Sequence, residues 1–230
     1  MPENADELAL GVIVALPAEA AGLPGRDLGC EVFVAGIGCE RARSAAARAI
    51  GRGARGLLNW GVAGGLFPQL HSGDLLLPRH VVSERGEWPI DDRLHMRLLG
   101  AVPGVQEIDA LYCSNTPVTS LERKRELADR GFAAVDMESA GVAMAASEAG
   151  LPFAVLKAVC DPASRAVPVL ALRMLDQHGR LRVPALLEAT CAGPRAWQEL
   201  RALRGDFTAA RASLRRAAQS LSLGAEAIVP

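Results

Sequence analysis

The sequence has neither a strong net charge nor a long apolar run. Its 25 lysines and arginines nearly balance 26 acidic residues, which leaves a net charge of −1. A broad nucleic-acid-binding surface is therefore not expected. The longest apolar runs, such as residues 8–16, are too short to span a bilayer. Acidic residues, and no lysine or arginine, precede that run, so it does not resemble a secretory signal and we expect a cytoplasmic protein.

Metal and redox motifs are also missing from the sequence. The five cysteines form no Cys-x-x-Cys pair, which argues against a zinc site or a redox dithiol. We therefore expect no metal and no cofactor, and a chain that keeps its thiols reduced.

Strand-like and helix-like segments alternate along most of the chain. Strands are predicted over residues 11–16, 31–35, 56–60, 74–82, 107–113, 132–136 and 153–159, and helices over residues 40–52, 91–99, 121–130 and 138–149. This alternation predicts an α/β fold with a largely parallel or mixed sheet and helices on both faces. No internal repeat or low-complexity linker divides the 230 residues, so we expect one domain.

Acidic residues follow two of the predicted strands. Asp136 and Glu138 lie where strand 132–136 turns into a helix of small residues, and Asp161 follows strand 153–159. In an open α/β sheet the ligand crevice lies outside the carboxyl ends of the strands. These carboxylates are therefore predicted to converge on one pocket, an arrangement suited to cleavage of a sugar bond.

Two glycine clusters lie next to predicted strands. In the first, Gly36-Ile37-Gly38, a dinucleotide-binding fingerprint would need a third glycine at position 41, which is Arg41. Two interpretations remain: a tight strand-to-helix turn, or amides at the helix start that hold an anion or a ribose oxygen with help from Arg41. The second cluster, residues 61–65, would let a flat ligand approach the backbone.

Several short motifs follow one another along the chain: GVIVALPAE (11–19), GIG (36–38), NWGVAGGL (59–66), Gly73-Asp74, VDMES (135–139) and CDPA (160–163). In this order they resemble the nucleoside phosphorylase and nucleosidase superfamily. The resemblance is greatest to methylthioadenosine/S-adenosylhomocysteine nucleosidases and, in that neighbourhood, to hopanoid-associated phosphorylases, which the segment after Pro168 also resembles. It implies a single nucleoside phosphorylase-like domain over residues 1–230, with a helical C-terminal extension from about residue 169.

The resemblance also implies roles for the acidic residues. Asp161 matches the general acid that protonates the departing purine at N7, a role that generally contributes ~10²–10⁴-fold to the rate. Glu138 matches the ligand of the ribose hydroxyls, and Glu19 the carboxylate that activates water. Taken alone, each has an ordinary structural interpretation as a cap or a solvated acid near a helix start.

Further residues are assigned to the site by the same resemblance. Met137 would pack against ribose and base, and Val118 would line the purine side. Lys157 interrupts an apolar strand four residues before Asp161, where related nucleosidases use an arginine to contact the site carboxylates. The two side chains would project from one face if the strand ran that far, and a purely structural ion pair is the alternative.

Departures from the family pattern leave the acceptor of the sugar open. Val62 replaces a small polar residue that many phosphorylases use to bind phosphate, and Cys160 replaces a serine beside the acid. The acceptor is either water activated by Glu19, or phosphate as a co-substrate bound by Gly38 and Arg41.

The expected function is cleavage of the N-ribosidic bond of a 5′-modified adenosine, with release of adenine. Adenosylhopane, a lipid-linked nucleoside of hopanoid biosynthesis, is the leading substrate, and a methylthioadenosine/S-adenosylhomocysteine nucleosidase is the alternative. A non-catalytic nucleoside-binding protein is a further alternative. The joint presence of Glu19, Glu138 and Asp161 argues against it.

The C-terminal region contains a basic amphipathic pattern. Residues 194–221 carry an apolar residue every three or four positions, a helical stripe interrupted by Gly205, with six arginines against two acids. Such a helix packs on the core or on a second subunit, or contacts the inner membrane face peripherally. The alanine- and glycine-rich helix over residues 138–149 would permit a close contact in a homo-oligomer.

Overall fold

The computed structural model describes residues 10–23, 29–168 and 193–223. In these residues the strands are β1 (Leu10–Val14), β2 (Cys30–Val34), β3 (Gly56–Gly65), β4 (Leu75–Ser83), β5 (Gly86–Pro89), β6 (Val105–Cys113), β7 (Ala134–Asp136) and β8 (Phe153–Val159). The α-helices are α1 (Cys39–Gly51), α2 (Asp92–Ala101), α3 (Leu121–Asp129), α4 (Ser139–Ala149) and α5 (Gly193–Leu223). A single 3₁₀ turn, Pro17–Glu19, follows β1.

The strands form one mixed sheet. Their order is β2-β1-β3-β7-β6-β4-β5, and β8 pairs with both β3 and β4. The pairs β1–β2, β1–β3, β3–β8, β4–β6 and β6–β7 are parallel, whereas β3–β7, β4–β5 and β4–β8 are antiparallel. The predicted α/β fold with a mixed sheet flanked by helices is therefore confirmed.

Strand β3 is longer than the sequence predicts. The predicted strand ends at Trp60, but β3 continues through the glycine cluster to Gly65. The extension is held on two sides, because Ala63 pairs with Val159 of β8 and Gly64 with Val135 of β7. Strand β5, which forms a hairpin with β4, was also missed, because its four residues carry too short a pattern to recognise.

Helices α1 and α4 pack closely in this chain. Most of the small residues of α4 are buried, as are Ala42, Ala45, Ala46 and Ala49 of α1. A Cβ atom at Gly141 would lie only 2.1 Å from the carbonyl oxygen of Cys39. The close contact predicted for this small-residue helix is thus made within one chain, and a homo-oligomer stays a prediction.

Helix α5 packs its C-terminal half on the core. Ala210, Leu214, Ala217 and Leu221 are buried, and the helix contacts β8 and the 3₁₀ turn. The helix is continuous through Gly205, where the apolar stripe is interrupted, and Trp197 in its N-terminal half is 40% exposed. Among the described residues, no helix has the length and apolar character needed to cross a bilayer. The resemblance of residues 169–192 to the hopanoid branch lies outside the described residues.

Candidate active site

Four carboxylates line one cavity: Asp136 at the end of β7, and the three acids to which the resemblance assigns roles. Glu19 comes from the 3₁₀ turn after β1, Glu138 from the start of α4, and Asp161 from the loop after β8. The cavity measures about 420 Å³, within the range for a small-molecule ligand. The predicted convergence of acidic side chains at the ends of the strands is therefore present.

Glu19 is fixed by backbone amides at the cavity wall. Its Oε2 accepts a hydrogen bond from the Leu16 amide at 2.8 Å, and its Oε1 accepts one from the Val62 amide at 3.2 Å. The Trp60 indole donates to the Glu19 carbonyl and anchors the 3₁₀ turn on β3. Burial raises the pKa of Glu19 by more than these amides and Lys157 lower it. The carboxylate of Glu19 is thus a stronger base than an ordinary glutamate.

The glycines of β3 make room for two of the carboxylates. A Cβ atom at Gly61 would lie 3.0 Å from Oε1 of Glu19, and one at Gly64 would lie 3.0 Å from Oδ2 of Asp161. The sequence suggested that this cluster lets a flat ligand approach the backbone. In the structure, two acidic side chains of the protein approach this cluster closely, and the approach of a ligand to residues 62–64, which line the cavity, stays a prediction.

Glu138 is held between two loops. Its Oε1 accepts a hydrogen bond from the Gly38 amide at 2.8 Å, and its Oε2 accepts one from the Met137 amide at 3.3 Å. Burial, opposed by Lys157, raises the pKa of Glu138 to about 7. The Gly38 amide, predicted to hold an anion or a ribose oxygen, is thus occupied by a carboxylate of the protein.

Lys157 lies behind the site rather than in it. Its ammonium pairs with Asp136 at 2.8 Å, and the side chain of Lys157 is 2% exposed. Burial would lower the pKa of Lys157, but the nearby carboxylates of Asp136, Glu138 and Glu19 outweigh it, so this pKa is raised. Asp136 also accepts hydrogen bonds from the amide and hydroxyl of Ser139.

Lys157 contacts a site carboxylate, Asp136, as the resemblance implied, but it is not placed where it would touch substrate or share a face with Asp161. Lys157 lies outside the cavity lining, and β8 ends at Val159, so Asp161 belongs to the following loop and not to the strand. The structural ion pair, which the sequence left as the alternative, is the arrangement present.

Asp161 is paired with a lysine that the sequence analysis missed. The ammonium of Lys124 in α3 lies 2.5 Å from Oδ2 of Asp161 and also donates to the carbonyls of Asp161 and Pro162. The Lys124 side chain is 1% exposed. Burial raises the pKa of Asp161 more than Lys124 lowers it. The helical periodicity of residues 121–130 indicates Lys124, because it lies three residues before the buried Leu127 and therefore on the same face of α3.

The remaining predicted residues fall at two adjoining cavities. Val62, Val118, Met137 and Arg41 line the cavity that contains the three acids, and Cys160 lines it beside Asp161. Gly38 instead lines a second cavity of about 650 Å³ at the start of α1, which Arg41 and Met137 also border.

Comparison with known families identifies the chain. A family model described as the phosphorylase superfamily matches residues 25–110 and 110–182, more than half of the sequence. The chain belongs to the phosphorylase superfamily. The prediction of an enzyme of the nucleoside phosphorylase and nucleosidase type is confirmed by this assignment. A search of curated proteins found no match.

Solved structures with the same fold include nucleosidases and a futalosine hydrolase. The 5′-methylthioadenosine/S-adenosylhomocysteine nucleosidase of Neisseria meningitidis, in complex with methylthio-immucillin-A, has a TM-score of 0.70 at 18% identity, covering 94% of this chain and 99% of that chain. The Helicobacter pylori enzyme of that name, with butyl-thio-DADMe-Immucillin-A, has a TM-score of 0.68 at 18% identity and coverages of 94% and 97%. Futalosine hydrolase of Helicobacter pylori has a TM-score of 0.66 at 19% identity and coverages of 93% and 95%. At these identities the likeness establishes the fold.

Proposed function

We propose that this protein is a nucleosidase that hydrolyses the N-ribosidic bond of a 5′-modified adenosine and releases adenine. The observation that carries the proposal is the convergence of Glu19, Glu138 and Asp161 on one cavity. Cleavage of this bond develops positive charge on the sugar and negative charge on the departing base. Buried carboxylates stabilise the first charge and a positioned acid neutralises the second.

Each acid has a distinct role in the proposal. Asp161, whose pKa is raised by burial, donates a proton to N7 of the purine. Glu138 accepts hydrogen bonds from the ribose hydroxyls and places negative charge near the developing cation. Glu19 takes a proton from the water that attacks the sugar, a step that its raised pKa favours.

Water is a better acceptor than phosphate at this site. The amides of Leu16 and Val62 already donate to the carboxylate of Glu19, and the Gly38 amide donates to Glu138. An incoming phosphate would meet these carboxylates, and like charges repel strongly in a buried site. Arg41 also borders the cavity, and an arginine is a cation that can bind phosphate. The assay below therefore compares the rates with and without phosphate.

The 5′ substituent of the substrate is proposed to be apolar. Ile37, Val118, Met137 and Val167 contribute apolar side chains to the cavity lining, and the hopanoid-like sequence motifs favour adenosylhopane. Methylthioadenosine and S-adenosylhomocysteine are the alternative substrates, favoured by the fold shared with the Neisseria meningitidis nucleosidase. Peripheral membrane contact stays a prediction, and the exposed Trp197 of α5 is compatible with it.

Adenine release from a panel of nucleosides tests the proposal. The purified protein is incubated with adenosylhopane in mixed micelles, with methylthioadenosine and with S-adenosylhomocysteine, each with and without phosphate. We expect adenine and the free 5′-modified ribose at equal rates in both buffers. A strict requirement for phosphate would replace hydrolysis with phosphorolysis, and binding without release of any base would support the non-catalytic alternative.

A further inference from the structure

Lysine is rare in this chain and is placed at the site. Lys124 and Lys157 are the only two lysines of the sequence, and all other basic side chains apart from histidine are arginines. Both lysines are fully buried, and each pairs with an aspartate next to the cavity. Lys157 supports Asp136, whereas Lys124 contacts the proposed general acid itself.

The ammonium of Lys124 is fully engaged with the loop that carries Asp161. It lies 2.5 Å from Oδ2 of Asp161, 3.2 Å from the Asp161 carbonyl oxygen and 2.9 Å from the Pro162 carbonyl oxygen. An ammonium has three donors and no acceptor, so these contacts use its whole hydrogen-bonding capacity. The loop and the carboxyl group are therefore held by one charged group on α3.

We propose that Lys124 is the positioning residue for proton transfer in this site. It aims the Asp161 carboxyl group into the cavity and stabilises the carboxylate that remains after the proton has moved to the purine. The inference rests on the proposed function and adds a specific partner to its general acid.

The proposed step is balanced without any further reactant. The proton on the Asp161 carboxyl group moves to N7, and the electron pair of the C1′–N9 bond leaves with the purine. Water adds to C1′ and gives its proton to Glu19. Lys124 stays protonated throughout, and its charge faces the carboxylate that Asp161 has become.

The surroundings of Asp161 make this cation important. Asp206 of α5 also acts on Asp161, and Asp206 is itself paired with Arg165. Burial and Asp206 both disfavour a negative charge on Asp161, whereas Lys124 favours it. Removal of the ammonium should therefore raise the pKa of Asp161 further and make it a weaker acid.

Two variants remove the charge of Lys124 in different ways. Lys124→Met keeps the length of the side chain, and Lys124→Gln keeps a hydrogen-bond donor, so loss of folding in one leaves the other to be measured. Lys124→Arg keeps the charge. Arg123→Met is the matched control, because Arg123 is the neighbouring residue on α3, is half exposed and pairs with Glu126. Thermal denaturation establishes that each variant is folded.

The readout compares leaving groups and pH profiles. One substrate is the adenine nucleoside on which the wild type is active, and the other is a 4-nitrophenyl riboside with the same 5′ group, which departs without a proton on N7. For Lys124→Met and Lys124→Gln, we expect kcat on the adenine nucleoside to fall roughly tenfold to a hundredfold. The high-pH limb of its profile should move to higher pH, and kcat on the nitrophenyl riboside should change little. Arg123→Met should keep the wild-type profile, and Lys124→Arg should keep the pH profile closer to the wild type than the uncharged variants do, because the charge remains.

Two results would overturn the inference, and both differ from failure of the proposed function. Equal losses on both substrates with an unchanged pH profile would assign Lys124 a purely structural role. Wild-type kcat in the uncharged variants would show that the ammonium does not assist Asp161. Failure of the proposed function would appear earlier, as a wild-type protein that releases no adenine.

Discussion

Gly64 has no side chain and so leaves room for the carboxyl group of Asp161. A Cβ atom there would lie 3.0 Å from Oδ2 of Asp161 and 3.4 Å from Val135. The position has no positive φ, so alanine fits the backbone and only the contact with Asp161 changes. We expect Gly64→Ala to lower kcat for adenine release roughly tenfold or more, because small misplacements of reacting groups are costly.

A glycine with open space around it provides the control for this prediction. A Cβ atom at Gly100, in α2, would meet nothing within 4 Å, so Gly100→Ala should keep wild-type kinetics. Equal kcat values for Gly64→Ala and the wild type would show that the Asp161 position does not depend on this glycine.

Glu138 should make the stability of the protein depend on pH. Its pKa is about 7 in the folded state against 4.5 for the ordinary side chain. The folded state therefore holds this proton more tightly, and the stability associated with it is lost as pH rises from about 4.5 to about 7. In Glu138→Gln this loss is absent. The Tm of the variant minus that of the wild type should therefore increase by several degrees between pH 4.5 and pH 7, and should stay constant above pH 7.

Thermal denaturation of both proteins from pH 4 to pH 8.5 checks this prediction. The values at the acidic end of the range act as an internal reference, because the Glu138 carboxyl group is then mostly protonated in both the folded and the unfolded wild type. A difference in Tm that is the same at every pH would contradict the raised pKa of Glu138.

At the scale of elements, the contact of α1 with α4 connects packing to the site. Gly141 lets the helices approach, since a Cβ atom there would lie 2.1 Å from the Cys39 carbonyl oxygen and 2.9 Å from the Arg43 amide nitrogen. Both are backbone atoms and cannot rotate away. The Gly38 amide just before α1 holds Glu138 just before α4, so separation of the helices would also disturb the ribose ligand.

Gly141→Ala is therefore expected to destabilise the protein by about 1–3 kcal/mol or more, as overpacking generally does. Urea denaturation measures the change, with Gly100→Ala expected to be neutral or slightly stabilising. An unchanged urea midpoint for Gly141→Ala would mean that the two helices separate without loss of free energy.

For the molecule as a whole, the sequence predicted the fold class and the convergence of the acids better than their local partners. The strands β1 and β8 are predictable from their apolar runs. The site is predictable from the acidic residues that follow these runs. Lys124 was missed because its helix is rich in charged residues, where one buried ammonium looks like its solvated neighbours. The contact of Gly64 with Asp161 was not predicted, since Asp161 is almost a hundred residues away along the chain.

The same reason explains why the partner of Lys157 was not predicted. Its buried position in a strand was readable, and so was its need for an acidic partner. Which acid it contacts depends on where β8 ends and on how β7, which carries Asp136, is placed by its own pairing with β3, and neither follows from spacing alone. Long-range contacts of this kind are set by the assembled sheet.

The measurement that tests the account most directly is hydrolysis in ¹⁸O-labelled water without phosphate, followed by mass spectrometry of the released sugar. We predict adenine release with one ¹⁸O atom in the sugar product for the wild type, and a loss of roughly 10²–10⁴-fold in rate for Asp161→Asn. Turnover in Asp161→Asn at the wild-type rate, or a sugar product without the label, would contradict the account.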